Sequence, residues 1–111
     1  MIACSAMRVM LKANIPVEPG NATVKNGTLS STMKSILEEL KPEAAYFVAE
    51  NGMRTAILFL GIEDSSELPK LAEPFFLAFN SSVEVVPCMN ADDLSRAGKH
   101  LEAAAKKYSG A

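Results

Sequence analysis

The chain has 111 residues, 49% of them hydrophobic and 22% charged, a balance that suits one globular domain and argues against intrinsic disorder. A net charge of -2 leaves no basic footprint for nucleic acid or an anionic membrane surface, and neither partner is expected. The apolar runs are too short to span a bilayer. The two cysteines, Cys4 and Cys88, fall in an expected tail and at an expected strand end, which speaks against a structural disulfide. Met1-Ile2-Ala3-Cys4 faintly resembles a lipoprotein cleavage box. No basic segment or long apolar stretch precedes Cys4, however, so a cytoplasmic location is expected. Residues 1–6 read as a disordered or extended N-terminal tail and residues 7–111 as a single domain.

In chain order, Arg8 to Asn14 alternates, with Val9, Leu11 and Ala13 on one face and Arg8, Met10, Lys12 and Asn14 on the other. This is the pattern of a half-buried strand. Ile15 to Gly20, with two prolines, reads as a rigid exit loop. Leu29, Met33, Ile36, Leu37 and Leu40 then form one helical stripe, ended by Pro42. Two starts are open for this helix. Asn21 caps an early start with Gly27 inside, or a turn ends near Gly27 and Ser30 or Ser31 caps the main helix. Ala44–Glu50 and Met53–Ile62 read as two strands joined by Asn51-Gly52, the strongest short hairpin signal. The second of these strands is apolar on both faces, so both faces require cover. One short chain has helices for one face only, and a second copy is expected on the other.

Beyond a polar loop capped at Ser66, Leu68, Leu71, Ala72, Phe75 and Phe79 make a second helical stripe. Pro69 fits its first turn, while Pro74 predicts a kink or break with a helical piece on each side, and Asn80 marks the stop. Ser82 to Cys88 is the fourth strand, with Val83 and Val85 opposite Glu84 and Val86. The last helix starts at Asn90, with Asp93 completing a near capping box and Met89 and Leu94 at staple positions. Its expected buried stripe is Leu94, Ala97, Leu101, Ala104 or Ala105, and Tyr108. Lys106 and Lys107 suit its negative end.

The predicted fold class is α+β: a ferredoxin-like βαββαβ arrangement with an additional C-terminal helix and a four-stranded antiparallel sheet. Right-handed crossovers place the first and third strands at the centre and both crossover helices on one face. The chain resembles the dimeric α+β barrel superfamily, and within it a small bacterial family of unassigned role. The likeness rests on Ile15-Pro16-Val17-Glu18-Pro19-Gly20-Asn21, on Glu38-Glu39-Leu40-Lys41-Pro42-Glu43-Ala44-Ala45-Tyr46-Phe47, and on Ala72-Glu73-Pro74-Phe75-Phe76-Leu77-Ala78-Phe79-Asn80. It runs from Met7 to Tyr108 and carries no catalytic motif. The resemblance implies a homodimer whose two sheets pack face to face. Members of the superfamily include cofactor-free monooxygenases, lactone isomerases, haem-dependent enzymes and stress-induced proteins, so the fold does not fix the function.

Few residues carry chemistry. His100, the single histidine, stands off the main stripe of the last helix and reads as a solvated residue. One histidine and two distant cysteines offer no ligand cluster, and neither a metal nor another cofactor is expected. Cys88 reads as a small apolar residue, and the acidic pairs Glu38-Glu39, Glu63-Asp64 and Asp92-Asp93 as surfaces and caps. The glycines are not spaced as a phosphate loop. Phe75, Phe76 and Phe79 read as core, with Phe76 the one to turn elsewhere.

A two-residue turn pairs Glu50 with Met53, Val48 with Thr55, Tyr46 with Ile57 and Ala44 with Phe59. This set is assigned to the face opposite the helices, leaving Ala45, Phe47 and Leu58 to the core. The candidate ligand-binding residues are therefore Lys12, Tyr46, Thr55 and Glu84. Two readings of that face stay open: a dimer interface with a Lys12–Glu84 cross-strand pair, or a mainly apolar cavity with those four polar groups. The expected function is a cytoplasmic homodimer binding a small, partly apolar organic molecule in a cavity between sheet and helices. The alternatives are a cofactor-free monooxygenase or isomerase, with Tyr46, Glu84 or His100 and Lys12 acting on the substrate, and a structural or regulatory interaction module.

Overall fold

In the computed structural model, which describes residues 6–110, strands β1 (Met7–Ile15), β2 (Ala44–Glu50), β3 (Met53–Ile62) and β4 (Ser82–Pro87) form one antiparallel sheet. The strand order is β2-β3-β1-β4, so β1 and β3 are central. Asn51 and Gly52 both have positive φ, 53° and 77°, and so close the hairpin with the handedness that matches strand twist. The turn fixes the register Glu50↔Met53, Val48↔Thr55, Tyr46↔Ile57 and Ala44↔Phe59. Residues 1–5, most of the expected tail and Cys4 among them, lie outside the described residues.

Among the described residues there are also five α-helices: α1 (Val17–Lys25), α2 (Leu29–Leu40), α3 (Leu68–Phe79), α4 (Ala91–Arg96) and α5 (Gly98–Tyr108). The exit loop expected at Ile15–Gly20 is in fact the start of α1. Pro16 is the last extended residue, and Pro19 falls in the first turn, where its missing N–H has no helical partner to lose. Gly27, at φ +77°, separates α1 from α2, which begins upstream of both serines considered as caps. Lys41 ends α2 in the left-handed region, directly before Pro42, whose ring disfavours the helical conformation for the residue preceding it. The cap expected at Ser66 is Asp64, which accepts from the backbone of Ser66 at the head of a short 3-10 turn, Ser65–Glu67.

The break expected at Pro74 is absent: α3 is continuous through it. An interior proline costs about 3 kcal/mol. Leu71, Phe75 and Phe79 are at most 3% exposed along one stripe of that helix, and full burial of each such side chain contributes about 1.5–3 kcal/mol. Splitting α3 would misalign that stripe, so packing wins over the local penalty.

The core lies between α2, α3 and one sheet face. Val9, Leu11, Ala13 and Ile15 of β1 and Ala56, Leu58, Leu60 and Ile62 of β3 are buried there against Ile36, Leu40, Leu71, Phe75 and Phe79. The other sheet face has no helix of its own layer over it, and carries Met10, Ile57, Phe59, Tyr46 and Val86 among charged residues. The architecture is thus α+β and compatible with a ferredoxin-like arrangement, from which α1 and the α4–α5 pair depart.

Asn90 and Asp93 form a full capping box at the start of α4. The expected single last helix is interrupted at Ala97, between α4 and α5. Its stripe, expected to be buried, is bare within one chain: Leu94 is 52% exposed, Leu101 62% and Tyr108 74%. The α4–α5 arm projects from the body. The radius of gyration is accordingly 17.5 Å, where a compact chain of this length has about 13 Å. Among the described residues no helix is long and apolar enough to cross a membrane.

Candidate functional site

The strand parity places Lys12, Tyr46, Thr55 and Glu84 on the face turned away from α2 and α3. Lys12 is adjacent to Glu84 across the β1–β4 ladder, but their charged atoms are 3.8 Å apart and Glu84 is largely in solvent. The nearer partner of Lys12 is Glu50, at 3.1 Å. Asn14 also donates to Glu50, at 3.5 Å, and to the hydroxyl of Thr55 at 2.8 Å. Thr55 is buried and its hydroxyl donates to the carbonyl of Met53, so its hydrogen-bonding capacity is taken up within the sheet. Tyr46 meets the ring of Phe59 edge-on, 6.4 Å between centroids, in the geometry that aromatic quadrupoles favour. Hydrogen bonding to Glu50 raises the Lys12 ammonium above its ordinary value, and Lys12 and then Asn14 lower Glu50. The four expected residues therefore share a face without converging on one point.

A second polar group stands at the end of that face. The Arg8 guanidinium binds Glu43 at 2.9 Å and also binds Asp93. Glu43 precedes β2 and Asp93 lies in the first turn of α4, so Arg8 ties the base of the edge strand and the root of the arm to the sheet centre. The backbone N–H of Asn90, then Arg8 and Arg96, hold Asp93 below the usual carboxylate range. Arg8 does the same for Glu43.

Between α2 and the β2–β3 hairpin, on the helix side of the sheet, lies a groove of about 800 Å³. Its walls are Ile15, Leu29, Met33, Leu37, Phe47 and Ala49, with Lys34, Glu38 and Arg54 at the mouth. The groove exists because α2 packs over β1 and β3 and leaves the helix side of edge strand β2 open. Phe47, expected in the core, is consequently 55% exposed. Arg54 donates to the side-chain oxygen of Asn21 at 3.1 Å, and its guanidinium crosses Gly20, where a Cβ would come within 2.7 Å of it. Of the four residues expected from sequence, Thr55 alone borders this groove.

His100 is exposed on α5 and takes part in no side-chain hydrogen bond with Lys12, Tyr46, Thr55 or Glu84. Cys88 is half-buried, and burial raises its thiol, which disfavours the reactive thiolate. Among the described residues no group of three His, Cys, Asp or Glu side chains is placed to hold a metal.

Sequence reasoning missed Glu50 as the partner of Lys12, and Asn14 as the donor to Glu50 and Thr55. The signal for Asn14 was available, since the hairpin register and the β1–β3 pairing together set it opposite Thr55. Nothing local marks Met33, Leu37 and Arg54 as groove residues, because their meeting depends on how far α2 is offset from β2. Comparison of the chain with protein-family models, with curated proteins and with solved structures finds no match.

Proposed function

We propose that the protein is a homodimeric ferredoxin-like domain of the dimeric α+β barrel kind that binds a small, partly apolar molecule between sheet and helices. The observation that carries the reading is the groove beside α2. Its volume falls within the range of small-molecule sites, about 300–1,000 Å³, and it combines apolar walls with a few charged groups at the mouth. Lys34 and Arg54 beside Met33 and Phe47 suit a ligand with an apolar body and an anionic end. Dimerisation is supported by the open sheet face, where Met10, Ile57 and Phe59 have no cover from their own chain's helices. Two such faces packed together bury the same patch on both copies, the self-complementary contact of a twofold dimer.

Titration with anilinonaphthalene sulfonate, which has an apolar body and an anionic end, tests the groove. Saturable binding is expected, weakened about tenfold or more by Phe47→Asp or Met33→Glu in chains that keep their circular dichroism. Absent saturable binding, or binding indifferent to both substitutions, contradicts the reading.

A further inference from the structure

We infer that the α4–α5 arm of each chain lies along the β2 edge of a second copy and supplies the missing wall of that copy's groove. The inference rests on the homodimer reading and deepens it, because the binding site is then incomplete in one chain.

Two uncovered surfaces of the same chain fit one another. The first is the seam of the arm. Leu94, Ala97, Leu101, Ala104 and Tyr108 fall at alternating spacings of three and four, the pattern of a helix that packs along another element. Leu94, Leu101 and Tyr108 are all more than half exposed. The second is the β2 edge. Ala44 to Ala49 contains no charge, and Tyr46, Phe47 and Val48 are exposed on both sides of the sheet. A long apolar edge of this kind is normally covered or guarded by charge, because it otherwise templates aggregation.

The amount of uncovered surface suits a second copy. The chain of 11.9 kDa exposes 7359 Å², where a compact protein of that mass exposes about 6,000 Å². An excess on the order of 1,000 Å² per chain is what a permanent homodimer hides on each protomer. The reach suits it as well. Helices α4 and α5 together run about 27 Å, while a four-stranded sheet is about 15 Å wide between its outer strands. The root of the arm is tied to its own sheet by the Arg8–Asp93 pair, while Leu101 and Tyr108 beyond it stay exposed. A membrane surface is the poorer occupant. The seam alternates alanine with its larger residues, which lets a helix approach a strand edge closely but inserts little into lipid.

The test uses the full chain. Light scattering at micromolar concentration is expected to give two chains for the wild type. Leu101→Asp combined with Tyr108→Asp is expected to weaken dimerisation at least a hundredfold and anilinonaphthalene sulfonate binding at least tenfold, with the circular dichroism of the sheet retained. Placement is read separately. With Cys4 and Cys88 replaced by serine, chains carrying Val48→Cys are mixed with chains carrying Leu101→Cys and treated with a short bismaleimide. A covalent dimer of the two unlike chains is expected, and none when Leu77→Cys on α3 replaces Val48→Cys. A wild-type dimer left equally tight by the arm substitutions, or one whose Leu101→Cys links to Leu77→Cys and not to Val48→Cys, overturns the arm's placement and leaves the dimer reading standing. Vesicle binding by the arm that leaves dimer mass unchanged on substitution also overturns it. A wild type that scatters as one chain removes both.

Discussion

Helix α3 and the α4–α5 arm carry similar amphipathic stripes and meet opposite fates. The α3 stripe of Leu71, Phe75 and Phe79 is buried, tightly enough to hold Pro74 inside an unbroken helix. The arm's stripe of Leu94, Leu101 and Tyr108 stands in solvent, although a full capping box closes its start. Local pattern therefore decides that a helix forms and which side is apolar, whereas the surface that receives that side is set by the fold or by a second molecule. A helix of this length gains most of its stability from packing its apolar side rather than from propensity.

Substitutions should separate the two regions by size of effect. Phe75→Ala removes a ring from the closed core and is expected to cost about 3–5 kcal/mol in denaturant unfolding. Leu101→Ala, measured at concentrations where dimers have dissociated, should change chain stability by no more than about 0.5 kcal/mol. Near-equal costs at the two positions would show that the arm folds back onto its own body. Ile57→Glu places a charge on the open sheet face, which the dimer reading buries. The dimer constant should weaken at least a hundredfold, about 2.7 kcal/mol, and an unchanged constant would take that face out of the interface.

Acid should loosen the arm's root before the core. Glu43 and Asp93 are both held below their ordinary values, so their contribution is present above the unfolded carboxylate range, about pH 4. It is lost as pH falls through their lowered folded values. Amide exchange should therefore rise at Ala91–Arg96 on acidification while Leu11 and Leu58 stay protected. Arg8→Ala should bring the same exposure at neutral pH, and equal protection in the variant would deny Arg8 its role as a tie. At the small end, Lys12→Met should alter stability least of these changes, since its ion pairs are near the surface and screened by solvent. The effect should shrink further above the raised Lys12 value, where the ammonium is lost.

Much of the sheet was legible in the sequence. Asn51-Gly52 fixes the hairpin register, which puts Tyr46, Thr55 and Ile57 on one face, and giving Leu58 to the core makes that face the open one. Crossover handedness gives the central strands. Helix boundaries were less legible where prolines compete with packing: Ile15 to Gly20 looks like a loop, yet α1 starts directly after Pro16 and takes Pro19 into its first turn, and Pro74 looks like a break yet is carried by its buried neighbours. The groove was not legible at all. It arises from the lateral offset of α2 against β2, a distance that neither periodicity nor capping encodes. The polar set was legible as a face but not as a site, because Lys12 is drawn to Glu50 rather than to Glu84.

The central claim is that one chain is half of the working molecule, and sedimentation equilibrium of the full chain across nanomolar to micromolar concentration tests it most directly. The expected result is a reversible species of twice 11.9 kDa at micromolar concentration that gives way to the single chain on dilution. A single species of 11.9 kDa throughout would contradict it.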